Sequence, residues 1–422
     1  MREIMARFVG RAIVTILLVT FTLINGSLAQ AQTILNLNNF IFSNGAYPRA
    51  PLIFDASGNL YGTTTDGGDS GCGGVGCGVV FQLTNSGGTW SENVLWVFGG
   101  GRTDGCGPFA GLIMDSAGNL FGTTHGCGAH GRGTVFELTY SGGVWGETVL
   151  HSFTGQEGGG VPNASLVIDA DGNLYGTTRS GGGGGCLGGC GVVFELTNNH
   201  GIWTETVLHI FQNDGRDGIE PGYNVTLDAK GNIYGTTATG GAFGYGVAFK
   251  LTKTTKGWTE TILHSFSGLG DGGNPSCGLI TDGFGNLYGT TEKGATGYGA
   301  VFELHQIGIG KWSESLVHFF DVSDGADPIG NLVFDNAGSL YGTTFGGGAF
   351  GLGTVFKLMK SGGGWTETVL WSFQPKPRNQ KGAPLDGFGP IVGLVLDTNS
   401  DLYGTSGQGG LLGYGLIYEI TP

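Results

Sequence analysis

The chain has 422 residues, 89 of them glycine, with only 12% charged and a formal charge of −14. An acidic surface of this kind repels nucleic acid and anionic membranes, which removes both as partners. Hydrophobic residues at 39%, including 26 Phe and 13 Tyr, supply a core and exclude an unpatterned glycine-rich coil.

Residues 1–31 read as a secretory signal. Arg2, Arg7 and Arg11 form a basic start, Ala12–Ile24 is an apolar run, and Ala29-Gln30-Ala31 offers a small-x-small cleavage site. The apolar run has 13 residues, short of the roughly 20 that a membrane span needs. An uncleaved anchor is the alternative reading. Loss of three arginines and Glu3 takes the formal charge from −14 to −16. Export to the periplasm or the extracellular space follows, with no membrane span after cleavage.

From residue 32 onward one heptad organises the chain. Gly172-Asn173-Leu174-Tyr175-Gly176-Thr177-Thr178 recurs at 58–64, 118–124, 231–237, 285–291 and 338–344, and more loosely at 400–406. The seven copies are spaced by 60, 54, 59, 54, 53 and 62 residues. A period of that length means a repeat architecture, so residues 32–422 are expected to form a single array. The units run at about 46–98, 106–153, 160–211, 219–266, 273–320, 326–373 and 388–422 plus 33–40.

Each unit reads as four short strands. In the second they are 110–114, 119–124, 134–138 and 145–153, joined by Asp115-Ser116-Ala117-Gly118, a Gly-rich loop and Ser141-Gly142-Gly143. A proline precedes every first strand: Pro48, Pro108, Pro162, Pro221, Pro275, Pro328 and Pro390. Seven such units describe an all-β, seven-bladed β-propeller. The last unit stops after its third strand, and Gln32–Asn36 matches Glu205–His209. The first strand of the processed chain is therefore expected to complete the last blade, closing the ring and removing its open edges. The links between blades and the loops between second and third strands share one face, called the top, where loop length and content vary.

The run Gly-Asn-Leu-Tyr-Gly-Thr-Thr, then Val-Phe-Glu-Leu-Thr and Trp-Thr-Glu-Thr-Val-Leu-His, resembles the GloVer tandem repeat over residues 33–422. The resemblance implies an exported bacterial protein, often carrying one of several C-terminal sorting anchors, and no established catalytic residues. In ending at Pro422 the sequence departs from that anchored pattern.

Cys72, Cys77, Cys106, Cys127, Cys186 and Cys190 fall in top-face segments, and Cys277 opens a first strand. In an oxidising compartment they read as three loop disulfides and one buried thiol. A metal site from Cys72/Cys77 or Cys186/Cys190 is the alternative, at spacings unlike the usual zinc pattern. Asp104, Asp217, Asp271, Asp324 and Asp386 each stand four residues before a repeat proline. Either each caps its own turn, or the five ring the top mouth of the channel and hold Ca²⁺ by oxygen ligation. The Asp residues of the Asp-x-x-Gly turns read as turn caps.

His151, His209, His264 and His318 share one slot with Trp96, Trp371 and Asn36, which points to packing. Arg102, His125, His130, Arg132 and Arg179 form a local basic patch on top segments, a candidate ligand site because Arg offers a fixed fork of donors. The chain contains no His-Glu-x-x-His and no Gly-x-Ser-x-Gly. The expected function is a monomeric extracellular binding module for glycan or protein, with no cofactor other than Ca²⁺. The alternatives are a polysaccharide-active hydrolase or lyase with a sialidase-like propeller, and a passive structural domain.

Overall fold

In a computed structural model, which describes residues 33–68, 71–375 and 385–422, the repeated heptad supplies the second strand of every sheet. The expected signal segment and Gln32 lie outside the described residues. Seven four-stranded antiparallel sheets form the propeller, each ordered first to fourth strand from the channel outwards. The third and fourth strands make the long outer hairpin, as in Val192–Asn199 with Ile202–Ile210.

The heptad's residues each have a structural task. Its central glycine lies under the phenylalanine of the third strand. A Cβ on Gly176 would stand 2.7 Å from Phe194 Cζ, and Gly122 and Gly235 meet Phe136 and Phe249 at 2.6 Å in the same way. The first threonine ties its blade to the next. Thr63, Thr123, Thr177, Thr236 and Thr343 donate to the carbonyls of Ala110, Ala164, Tyr223, Cys277 and Val392 at 2.6 to 3.2 Å. The second threonine closes the following turn, as Thr178 Oγ1 does on Ser180 O at 2.9 Å.

The turn before the heptad is equally explicit. Asp55 Oδ1 accepts from the amides of Ser57 and Asn59, while Oδ2 accepts from Asn59 Nδ2 and Tyr61 OH. The amide caps recur at Asp115, Asp169, Asp228, Asp282, Asp335 and Asp397. The apolar core lies between blades, where the heptad aromatic meets the next blade's tryptophan. Phe121–Trp203 and Tyr288–Trp365 are edge-on pairs with centroids 6.3 and 6.1 Å apart.

The ring closes as expected. Thr33–Asn39 pairs antiparallel with Leu416–Thr421, and Thr405 Oγ1 reaches Ala50 O at 3.4 Å. The alignment differs from the sequence reading by two residues. Asn38 faces Ile417 across a bulge, as His209 faces Val193, so Asn38 and not Asn36 fills the histidine slot. The match through Gln32–Asn36 missed this because Phe40, buried like Phe211, sets the register. First strands are also shorter than expected: Ile113–Met114 pairs, whereas the Ala110 carbonyl is taken by Thr63.

Cys72–Cys77, Cys106–Cys127 and Cys186–Cys190 are disulfides, and Cys277 is a buried free thiol. The alternative of cysteine metal sites is thereby excluded, since these sulfurs are bonded to each other.

Gly176→Ala is expected to lose about 1–3 kcal/mol, because the added methyl overpacks against Phe194. Gly146→Ala, whose Cβ meets nothing within 4 Å, should stay within about 0.5 kcal/mol of the parent. Urea denaturation of the two variants checks the contrast.

Candidate functional site

Two ring-shaped sets of side chains stand out, one around the top mouth of the channel and one near the outer strands. The mouth is built from the links into each blade. The residue before each repeat proline adopts positive φ: Tyr47 57°, Val161 60°, Glu220 60°, Asn274 54° and Asp327 54°, with Gly107 and Gly389 at the other two blades. Non-glycine residues are costly there, and such outliers cluster where a surface is held in a set shape. Backbone bonds hold them: Asp327 N donates to Tyr298 O, and Phe345 N donates to Asp327 O, both at 3.0 Å.

The residue after each proline then faces the channel. These are Arg49, Phe109, Asn163, Gly222, Ser276, Ile329 and Ile391, and all seven line one cavity of about 480 Å³. The flanking proline and threonines are nearly uniform among the seven repeats, whereas this position changes chemistry at almost every blade. The cavity is two-sided. Ile329, Ile391, Val392 and Phe109 give apolar walls; Asn163, Arg179, Glu220, Asn274, Ser276 and Glu292 give a polar one.

Its polar groups are partly committed. Arg179 Nη2 pairs with Glu220 Oε2 at 3.0 Å, and the Arg49 guanidinium lies 5.5 Å from the Phe109 ring centroid. Asn274 Nδ2 donates to Ala238 O, but its Oδ1 is buried without a protein partner. Burial, and then the nearby Asp327, push the Glu292 carboxyl up.

Of the expected basic patch, Arg179 lines this cavity. His125 stands just behind it, bonded through Nδ1 to Asn163 Oδ1 at 2.7 Å and packed on Phe109. Arg102, His130 and Arg132 are exposed and outside the lining. The five repeat Asp residues do not ring the mouth. They sit in the links near the outer strands, where they cap their turns. Asp104 takes the amides of Gly99 and Gly105, Asp386 that of Gln374, and Asp217, Asp271 and Asp324 meet His209, His264 and His318 at 3.2, 3.0 and 3.1 Å. The carboxylates turn outward because the histidine slot lies on the fourth strand, farthest from the channel.

Arg49, Phe109, Asn163, Glu220, Asn274 and Glu292 escaped the sequence reading. The available signals were the residues on either side of each proline and the residue after each heptad, points at which otherwise uniform repeats differ.

The outer set adds a glutamate from the neighbouring blade's fourth strand. Burial pushes Glu92, Glu147, Glu205, Glu314 and Glu367 up to about 7, and Glu260 up to about 8. Each keeps one buried oxygen without a hydrogen-bond donor.

A folded-state value near 7, above the ordinary value of 4.5, means that the fold prefers the protonated carboxyl. The stabilisation is complete below pH 4.5 and is lost as pH rises through 7. The melting temperature should therefore fall between about pH 5 and pH 8. Glu147→Gln should flatten part of that fall, by on the order of 1 kcal/mol for a half-buried side chain. Scanning calorimetry across pH reads both effects.

A family model, the Gloeobacter/Verrucomicrobia repeat, matches residues 20–188 and 73–302, together more than half of the chain. No curated protein matches significantly in sequence. Among solved structures, a protein from Bacteroides uniformis provisionally named a 6-phosphogluconolactonase aligns with a TM-score of 0.50 and 12% identity, covering 78% of this chain and 84% of its own. A provisionally named glucose-dehydrogenase-type oxidoreductase from Thermus thermophilus aligns at 0.40 and 14% identity, over 92% and 100% of the two chains. A protein of unknown function from Dyadobacter fermentans aligns at 0.46 and 11% identity, over 93% and 98%. At these identities the first of them shows a shared fold alone.

Proposed function

The chain belongs to the Gloeobacter/Verrucomicrobia repeat family, and from that premise we propose that it is an exported binding module whose channel mouth takes a short extracellular glycan. The observation that carries this reading is that all seven post-proline residues, the positions at which the repeats diverge, line the same cavity. A scaffold that keeps its packing residues and varies the positions facing one cavity has the form of a recognition surface.

The chemistry of the walls selects the ligand class. A sugar ring has apolar C–H faces and hydroxyls around its edge. Phe109, Ile329 and Ile391 suit the faces, and Asn163, Asn274, Arg179 and Glu220 suit the hydroxyls with planar, paired donors and acceptors. The unbonded Oδ1 of Asn274 is an acceptor that a hydroxyl would satisfy. A concave site of about 480 Å³ fits a ligand of a few rings better than a flat protein surface. Three disulfides, together with the signal-like residues 1–31, support a location outside the cytoplasm. Among the described residues no helix is long and apolar enough to cross a membrane.

A glycan array followed by calorimetry on the best hit tests the reading. Phe109→Ala and Asn163→Ala should each weaken binding at least tenfold with melting unchanged. Binding that ignores both changes, or a silent array, rejects the channel mouth as the site. Cleavage of the bound polysaccharide would replace a binding module by a hydrolase or lyase.

A further inference from the structure

At the boundary between the third and fourth blades, three side chains from three segments converge. His209 comes from the fourth strand of blade 3, Asp217 from the link, and Glu260 from the fourth strand of blade 4. His209 Nε2 lies 3.2 Å from Asp217 Oδ2 and 3.6 Å from Glu260 Oε1. The three side chains are 19%, 8% and 15% exposed.

The donors are held in place by their surroundings. Asp217 Oδ1 accepts from Gly218 N at 2.6 Å and Oδ2 from Gln212 N at 2.9 Å, so its carboxylate plane is fixed. The His209 ring stands edge-on to Phe211, with centroids 4.6 Å apart. Glu260 Oε1 is fully buried and has no hydrogen-bond donor. A buried carboxylate oxygen left this way is costly unless the carboxyl is protonated or something positive meets it.

We propose that His209 Nε2, Asp217 Oδ2 and Glu260 Oε1 bind one divalent transition-metal ion of the zinc class, which clamps blade 3 to blade 4. Zinc binds imidazole nitrogen and carboxylate oxygen at about 2.0–2.2 Å. At tetrahedral or octahedral angles such bonds set neighbouring donors roughly 3–3.5 Å apart, close to the spacing here. An imidazole with two carboxylate oxygens is too few and too mixed a set for Ca²⁺, which takes six to eight oxygens. The amides of Gln212 and Gly218 would orient the aspartate ligand, as outer partners of metal sites do.

The other blade boundaries serve as internal comparisons. Where the ring closes, Asn38 and Asn44 replace the histidine and aspartate, and both amides donate to Glu92 Oε2, while Glu92 Oε1 stays unbonded. Between blades 2 and 3 Gly158 stands where the aspartate would be, and Trp96 and Trp371 take the histidine slot at two others. The remaining two carry His264, Asp271, Glu314 and His318, Asp324, Glu367. Among the described residues only the His209 group brings a histidine and two carboxylates within 4.8 Å of one another.

Calorimetric titration of the chelator-treated protein with ZnCl₂ and CoCl₂ tests this, with thermal melting and the visible spectrum of bound cobalt. One equivalent should bind, raise the melting temperature by several degrees and give a cobalt d–d band. Glu260→Gln is isosteric, and His209→Asn installs the side chain that Asn38 already carries in that slot. Each should weaken binding at least tenfold, and E260Q should melt as the parent does without metal. His151→Asn, at the boundary that lacks an aspartate, should leave binding unchanged. The proposal is overturned if neither ion binds, if binding survives both E260Q and H209N, if H151N abolishes it equally, or if Ca²⁺ binds more tightly than Zn²⁺.

Discussion

Wedge-shaped sheets stand in a ring only when each innermost strand is tied to its neighbour, and here a threonine hydroxyl makes the tie. A short strand next to the channel has few partners of its own: Ile113–Met114 contributes a two-residue ladder. The carbonyls just before it would be left buried and unbonded, which is costly. Thr63 of the previous blade supplies the missing donor, and the same device recurs to Thr405 on Ala50, which crosses the seam. One boundary departs from the rule. Thr290 Oγ1 has no partner, and Ser276 Oγ reaches Pro328 O instead, so the tie survives through a different hydroxyl.

The glycine before that threonine is the other half of the constraint. Removing a Cβ lets the third-strand phenylalanine lie across the second strand and fill the space towards Leu166 or its equivalents. Thus one dipeptide, Gly-Thr, sets the packing within a blade and the bond between blades. Repetition of the dipeptide is repetition of both interactions, which is why a seven-fold sequence produces a seven-fold ring.

This also explains how much was legible in the sequence. Turn caps at Asp55 and its equivalents, strand order, ring closure and the disulfide partners all follow from local chemistry, and local chemistry is visible in a linear pattern. What failed to show was radius. Asp217 and Arg179 both belong to top-face segments, yet Asp217 meets His209 on an outer strand while Arg179 faces the channel. The strand path alone distinguishes them. The two-residue slip at Asn36 has the same origin: a bulge near Asn38 changes the count without changing the pattern, and only the buried Phe40 anchors it.

Radius also separates the two proposed tasks. Side chains at the mouth, such as Phe109 and Asn163, are borne on positive-φ links whose backbone bonds do not involve them, so their identity is free to vary. Side chains near the outer strands, such as Glu260 and Asp217, are buried between blades, where an uncompensated charge weakens the whole ring. The boundaries surround that glutamate differently: with asparagine amides at Glu92, with a histidine–aspartate pair whose aspartate acts on Glu314 and Glu367, and with an ion at Glu260 if the proposed site is filled. A metal there would hold the ring together without touching the mouth. Its loss would lower melting while leaving glycan affinity intact, whereas changes at Phe109 would do the reverse.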